Sequence, residues 1–408
     1  METVGRSGIG LSDVFAVFAV NDEITKSPGF DGPSGDMRLI PDLERAVELP
    51  DAPGWTWAPA DQYDQDLEPM PTCQRTMLAR VAERAAARGL ELRLAYEVEF
   101  TLFRSDGQPL HEGPSYSPRA YLPLQELAVD LVGTLEAIGM QVEQLHPEYS
   151  VGQYEISVAP TDPVAAADQH VLLRLTIMRL ARRYGLTVSF APVAIAGLVG
   201  NGCHLHYSLW RDGRNLMAGG ESIEGLTEEG GAFTAGILGH LPELMAVYAP
   251  SVTSYERLVP HHWAGAYTCW GRENREAALR FVRGTVGTVE RAANVELKVV
   301  DGASNPYLAA ACLIGAGLAG LDQGAELPDS LTDDPADLSS QRAEALGIRR
   351  LPSDLGKAIE AFSASTLAAE ILGEPLFQAF AAVRRFEWEL YRHSDPGEVA
   401  EQLRWRYG

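Results

Sequence analysis

The chain has 408 residues, 46% of them hydrophobic and 22% charged, the proportions of a globular protein with a large core. Its formal net charge of −23 repels phosphate backbones and anionic bilayers, which argues against nucleic acid or a membrane surface as a partner. The four cysteines, Cys73, Cys203, Cys269 and Cys312, form no CxxC pair and read as reduced thiols.

Residues 1–70 are rich in Pro, Gly and Asp and read as a small β-rich or irregular N-terminal domain, with 71–408 as the main domain. The apolar run 14–20 is too short for a signal peptide. A helix is predicted over 75–89, where Leu78, Val81 and Ala85 recur at helical spacing and Gly89 can end it. Strict alternation follows: Leu92, Leu94, Tyr96, Val98, Phe100 and Leu102 predict a half-buried strand. Helical patterns cover 118–139, 164–185, 232–248 and 307–321. Strand-like runs cover 153–158, 187–190, 204–210 and 295–300. The acidic, Pro- and Ser-rich stretch 323–345 reads as a solvated loop with no specific role. The last sixty or so residues look helical, with a break at Asp395 and Pro396. The interleaving predicts an α+β fold. The stretch 307–321 is the longest uncharged apolar segment and falls short of the roughly 20 residues that span a bilayer, so a cytoplasmic protein is expected.

The chemistry lies in the polar faces of the strands. In LAYEVEFTL, Glu97 and Glu99 share one face, roughly 7 Å apart, opposite Tyr96, Val98 and Phe100. In GCHLHYSLW, His204, His206 and Ser208 share a face. Glu155 points away from Tyr154 and Ile156, and Glu296 and Lys298 point away from Val295, Leu297 and Val299. Paired carboxylates are costly to bury unless a cation lies between them. A carboxylate-rich set with one or two histidines suits Mg²⁺ or Mn²⁺ better than zinc. Two such ions would bridge a nucleotide's phosphates.

At these residues the sequence resembles the glutamine synthetase superfamily. DMRLIPD, the Arg75 region, YEVEF, HPEYSVGQYE, GNGCHLHYSL, SYERLVP, WGRENREAALR and VELKVVDGASNPYLAA match its landmarks in order. The resemblance implies a β-grasp-like N-terminal region and a catalytic domain with a curved antiparallel sheet, a half-barrel, flanked by helices. It implies ATP and two or three Mg²⁺ or Mn²⁺ ions. By it, Glu99, Glu148 and Glu155 hold one ion, and Glu97, His204 and Glu296 a second. His206, Ser208 and Glu143 contact the nucleotide, Arg275 and Arg280 its phosphates. Arg257 and the Gly200 loop meet the amino-acid substrate. ATP would phosphorylate the side-chain carboxylate of glutamate or a similar acid, and an amine would attack the acyl phosphate. A homo-oligomer, commonly two stacked hexameric rings, is implied as well.

The departures concern the nucleophile. Where ammonia-using members carry a flap glutamate, this sequence has Trp263, which can line an apolar or cation–π pocket for a larger amine. His261 and His262 sit beside it as candidate bases. Lys298 replaces the family's arginine beside the substrate and loses its two-pronged grip. Val199 replaces an asparagine of the glycine-rich loop. The aspartate expected from a neighbouring subunit is Asp22 or Asp31. A γ-glutamyl-amine ligase is therefore expected. Authentic glutamine synthetase, a ligase or kinase for another carboxylate, and a non-catalytic assembly subunit remain alternatives.

Overall fold

The computed structural model describes residues 2–30, 32 and 35–407. Its N-terminal part carries an antiparallel sheet in which β1 (Ile9–Ser12) pairs with β2 (Asp36–Pro41). A hairpin of β3 (Val47–Glu48) and β4 (Thr56–Trp57) follows, and β5 (Ala60–Tyr63) pairs with the other side of β2. Asp31 falls outside the described residues. Asp22 is exposed and pairs with Arg406 at 2.6 Å.

The second sheet has nine strands. They are β6 (Glu91–Phe103), β7 (Val142–Pro147), β8 (Gln153–Val158), β9 (Thr187–Ser189), β10 (Cys203–Arg211), β11 (Arg214–Asn215), β12 (Trp270–Arg272), β13 (Leu279–Val282) and β14 (Asn294–Leu297). Seven run in the order β12-β13-β14-β10-β6-β8-β7, with β11 beside β10 and β9 beside β6. Among the described residues, only β12 and β13 pair in parallel.

The alternation in β6 does what its period requires. Leu92, Leu94, Tyr96, Val98, Phe100 and Leu102 are buried on one side. Each such Leu or Phe contributes about 1.5–3 kcal/mol. The helices Gln74–Ala86, Pro163–Arg183, Glu228–Tyr248 and Pro306–Gln323 pack together and against the sheet. Helix starts follow the side-chain chemistry: the Asn305 side chain accepts from Tyr307 N and Leu308 N, and Pro306 fills the position that needs no N–H. Gly236 and Gly320 let two of these helices touch, since a Cβ on Gly236 would lie 2.6 Å from the Gly320 Cα.

Several expectations need correction. The helix read over 118–139 is a short helix Pro118–Tyr121, a tight turn Leu122–Leu124 and a helix Gln125–Ala137. Pro123 supplies no N–H for continuous helical bonding there. The strand read over 295–300 leaves the ladder after Leu297. β7, β12 and β13 were not foreseen. The segment 323–345 is not merely solvated. Leu331 is buried beside Cys269 and Ala277, and its N–H donates to Trp270 O at 2.9 Å.

Arg75 ties the N-terminal part to the main sheet's helices. Its guanidinium meets Asp42 at 2.8 Å, Asp61 at 3.0 Å and Asp168 at 3.0 Å, and it is nearly buried. Asp168 also accepts from Tyr307 Oη at 2.7 Å. Arg75→Ala would leave Asp61 on β5 without its ion pair, and Asp42 after β2 and Asp168 with only the longer ion contacts of Arg45, at 3.8 and 3.6 Å. It is expected to cost about 3–5 kcal/mol, read as a lower guanidinium unfolding midpoint. An unchanged midpoint would show that the cluster is not what docks this part.

Candidate active site

The strand register gathers the predicted residues onto one face. Glu97 on β6 sits opposite His204 on β10 and Ser157 on β8. Glu99 sits opposite Glu155, which sits opposite His146 on β7. His206 sits opposite Glu296, and Glu296 opposite Arg280 on β13. A cleft of about 910 Å³ opens over this face and is lined by all six predicted metal ligands.

The charges divide into two ends. At one, Glu296 is 1% exposed and surrounded by cations. Lys298 Nζ donates to its Oε1 at 2.8 Å, Arg280 donates to its Oε2 at 3.1 Å, and His204 Nδ1 lies 3.1 Å away. Burial pushes the Glu296 carboxyl up, but Lys298, His204 and His206 outweigh it and hold it well below its usual value. Glu97 likewise stays low against burial through His204, at 2.9 Å, and His206, at 3.6 Å. At the other end His146 lies 3.1 Å from Glu155 and 3.7 Å from Glu148, and His204 Nε2 lies 3.8 Å from Glu99. Burial and the neighbouring carboxylates Glu97, Glu99 and Glu148 push Glu155 well up. Burial and Glu99 raise Glu148. This end carries no lysine or arginine ion pair among the described residues.

Donor atoms close enough to share an ion form three groups: Glu97, Glu155 and His204; Glu97, His206 and Glu296; and His146, Glu148 and Glu155. These groups cut across the predicted division. Glu99 accepts from Gln153 Nε2 at 2.9 Å and from Gly202 N at 2.8 Å. The donor set is oxygen-rich with imidazole, as Mg²⁺ or Mn²⁺ prefers.

Arg257 lies at the end of the short helix Ser254–Arg257 and is 4% exposed. It donates to Lys298 O at 2.8 Å and lies 3.2 Å from His204 Nε2. Two glycines make room for it. A Cβ on Gly200 would lie 2.0 Å from Pro192 O and 3.2 Å from the Arg257 side chain, and one on Gly202 would lie 2.8 Å from its guanidinium. Arg275 lines the cleft and, among the described residues, forms no ion pair, whereas Arg280 is also bound by Glu273 at 2.9 Å. Ser208 accepts from Trp210 Nε1 at 2.8 Å, and His206 Nδ1 lies 2.9 Å from Asn294 Oδ1. Glu143 is exposed at the rim.

At the other mouth, the Trp263 ring meets Tyr149 edge to face, with centroids 4.9 Å apart. His262 lines the cleft. His261 does not: its ring turns to Asp334 at 3.2 Å. His261 and Trp263 have positive φ values of 64° and 54°, a conformation that costs about 1–3 kcal/mol each for such side chains.

Sequence reasoning missed His146, Gln153, Tyr149 and Tyr116. The first three stand within HPEYSVGQYE, so the signal was present. Tyr116, whose hydroxyl donates to Glu148 Oε2 at 2.9 Å, sits in a loop with no periodic pattern.

Comparison with known proteins bears on this site. The family model for the glutamine synthetase catalytic domain matches residues 71–400. A gamma-glutamylpolyamine synthetase from Streptomyces coelicolor is 48% identical over 406 residues, covering 98% of this chain and 87% of that protein. A glutamine synthetase from Halobacterium salinarum is 33% identical, covering 88% and 81%. A crystal structure described as a novel glutamine synthase homologue superposes with a TM-score of 0.88 at 33% identity, covering 100% and 93%. A complex of GmaS with ADP superposes at 0.83 and 30% identity, covering 97% and 89%.

The two-ended electrostatics give a pH signature for the metal-free protein. His204 and His206 are raised, so their stabilisation is present below 6.5 and is lost as pH rises, that of His206 through about 9. The raised carboxyls Glu148 and Glu155 act in the same direction, because their ionisation in the folded state is opposed. Thermal melts in EDTA should therefore fall from pH 6.5 to about 9. Mn²⁺ at a hundred times its dissociation constant should restore about 2.7 kcal/mol. Glu155→Gln should melt higher than wild type without metal and gain less from Mn²⁺. A Glu155→Gln melt that responds fully to Mn²⁺ would remove Glu155 from the metal site.

Proposed function

This chain belongs to the glutamine synthetase family, and from that membership we propose an ATP-dependent ligase that joins the side-chain carboxylate of glutamate to an organic amine, a polyamine in particular. The observation that carries the reading is Trp263 against Tyr149 at the cleft mouth. An aromatic wall there offers an alkylammonium chain a cation–π contact, at the position where the resemblance places a glutamate in ammonia-using members. The polyamine activity in the name of the Streptomyces coelicolor relative supports the same class.

In this reading, ATP transfers its terminal phosphoryl group to the glutamate carboxylate, and the amine displaces phosphate from the acyl phosphate. Bound Mg²⁺ or Mn²⁺ supplies the positive charge that the phosphates and the Glu148–Glu155 end both lack. Glu97, Glu99, Glu148, Glu155, His204 and Glu296 hold the ions, with His146 added to the expected set. Arg275, with no carboxylate to neutralise it, grips phosphate oxygens, and Arg280 works beside it. His206, Ser208 and Glu143 line the nucleotide end. Arg257, propped by Gly200, holds the amino-acid carboxylate. Lys298 keeps Glu296 ionised and adds a positive charge near that substrate. His262, which faces the cleft, is the better base for the amine proton than His261.

The finer architecture completes the proposal. Residues 1–70 form a β-grasp-like domain, and the large sheet of 71–408 curves as a half-barrel. The chain assembles into a homo-oligomer of two stacked rings; exposed Phe15, Ile24 and Trp55 in the N-terminal part suit a buried interface. No helix among the described residues is long and apolar enough to cross a membrane, in keeping with a cytoplasmic site of action.

The test is incubation with ATP, Mg²⁺ and glutamate, adding putrescine, spermidine, ethanolamine or ammonia in turn. Polyamine-dependent phosphate release with a γ-glutamyl amide of the expected mass supports the reading; ammonia as the best nucleophile refutes it. Trp263→Ala should lower kcat/KM for the polyamine by about 3- to 30-fold, the range of a cation–π contact. An unchanged kcat/KM would place the amine elsewhere.

A further inference from the structure

The turn that carries Trp263 is held by groups outside the cleft. Its base is fixed: Ala264 and Ala266 are buried, and Gly265 lies so close to the following strand that a Cβ would be 2.8 Å from Ala278 Cα. Its tip is not self-supporting, because His261 and Trp263 both occupy the left-handed region that bulky residues avoid. Something must over-determine that backbone.

Three contacts do so. Trp263 N donates to Glu276 Oε1 at 2.9 Å, a bond strengthened by the carboxylate's charge. His261 Nδ1 meets Asp334 Oδ2 at 3.2 Å, and the Trp263 ring rests on Tyr149. Glu276 is itself placed by a braced turn. Its N–H donates to Asn274 Oδ1 at 3.0 Å, while Asn274 Nδ2 donates to Leu331 O at 2.9 Å and Asp333 O at 3.0 Å. The acidic segment read from sequence as a solvated loop thus supports the flap from behind. Glu276 is half-buried and does not line the cleft, although its neighbour Arg275 does.

We propose that Glu276 is a positioning residue for amine selection, holding the His261–Trp263 turn so that the Trp263 ring closes the cleft mouth against Tyr149. The proposal rests on the ligase reading above and adds the residue that sets its amine specificity. Glu276 touches no reacting atom. Its removal releases the aromatic wall and leaves the nucleotide end and Arg257 untouched.

The experiment uses full-length protein carrying Glu276→Ala, Glu276→Gln, Trp263→Ala and the Glu276→Ala/Trp263→Ala pair. KM is measured for spermidine, glutamate and ATP, and hydrogen exchange is followed in the 259–266 peptide. Glu276→Ala should raise the spermidine KM about tenfold, within the reach of one cation–π contact, and leave the other two within about twofold. Glu276→Gln should recover much of the loss, since its amide oxygen still accepts from Trp263 N. In the Trp263→Ala background, Glu276→Ala should add less than about twofold, because the two act through one ring. Exchange in 259–266 should quicken in Glu276→Ala.

Equal rises in all three KM values, full additivity with Trp263→Ala, or unchanged exchange would overturn the proposal. If Glu276→Ala fails to fold, Asp334→Asn should give a smaller rise confined to the amine, and a general or absent effect counts against the idea. Wild type without amine-dependent phosphate release would sink the ligase reading itself, and the exchange measurement would still decide whether Glu276 holds the turn. Active wild type with an indifferent Glu276→Ala would sink this inference alone.

Discussion

Buried carboxylates crowded on one face of a sheet govern this structure. Glu97, Glu99, Glu155 and Glu296 project from β6, β8 and β14 within reach of one another, and water is largely excluded from three of them. Such groups repel, and each would shed its charge unless cations compensate. The fold answers differently at the two ends. Around Glu296 it supplies Lys298, Arg280 and His204. Around Glu155 it supplies no lysine or arginine partner among the described residues, only His146 at 3.1 Å and His204 within reach. In the proposed reading, the burial that makes the bare carboxylates costly would favour the binding of cations there.

That constraint explains the order demanded elsewhere. The carboxylates act together only if β6, β8, β10 and β14 keep their register, because a slip of one residue would turn every glutamate into the apolar core. The apolar faces of those strands and the four packed helices fix the register. Arg75 performs a related task at the boundary with the N-terminal part, where one guanidinium reconciles three aspartates from separate elements.

Much of this was legible in the sequence, and the reason is periodicity. Glutamate and histidine alternating with Leu, Tyr, Val and Phe in β6 and β10 announce both the strands and their polar face. The grouping of ligands was less legible. Which donor lies near which depends on register and rotamer, so the proximity of His206 to Glu97 and Glu296, and of His146 to Glu148 and Glu155, could not be read from the sequence. Short strands such as β12 and β13 offer three or four residues each, too few for a period to show. The segment 323–345 misled because composition speaks of solvent preference alone. Its backbone carbonyls at Leu331 and Asp333 are what Asn274 uses, and no side-chain pattern encodes them. Adjacent His261 and His262 could not be told apart until the left-handed backbone sent one ring to Asp334 and the other to the cleft.

In the proposed reading, the mouth of the cleft is where a change of one residue type changes the nucleophile. Ammonium is small and strongly hydrated, and drawing it into a closed site requires a carboxylate to replace its water. An aromatic ring offers far less, roughly 0.5–2 kcal/mol, too little for that exchange. A polyamine meets a different balance. In that reading its reacting nitrogen would enter neutral to attack, its methylene chain would gain from apolar contact with Trp263 and Tyr149, and its distal ammonium groups would stay in water outside. The long-range field then works in its favour, since a chain with net charge −23 draws polycations toward its surface. On this proposal, selection would come from what the mouth declines to compensate as much as from what it attracts.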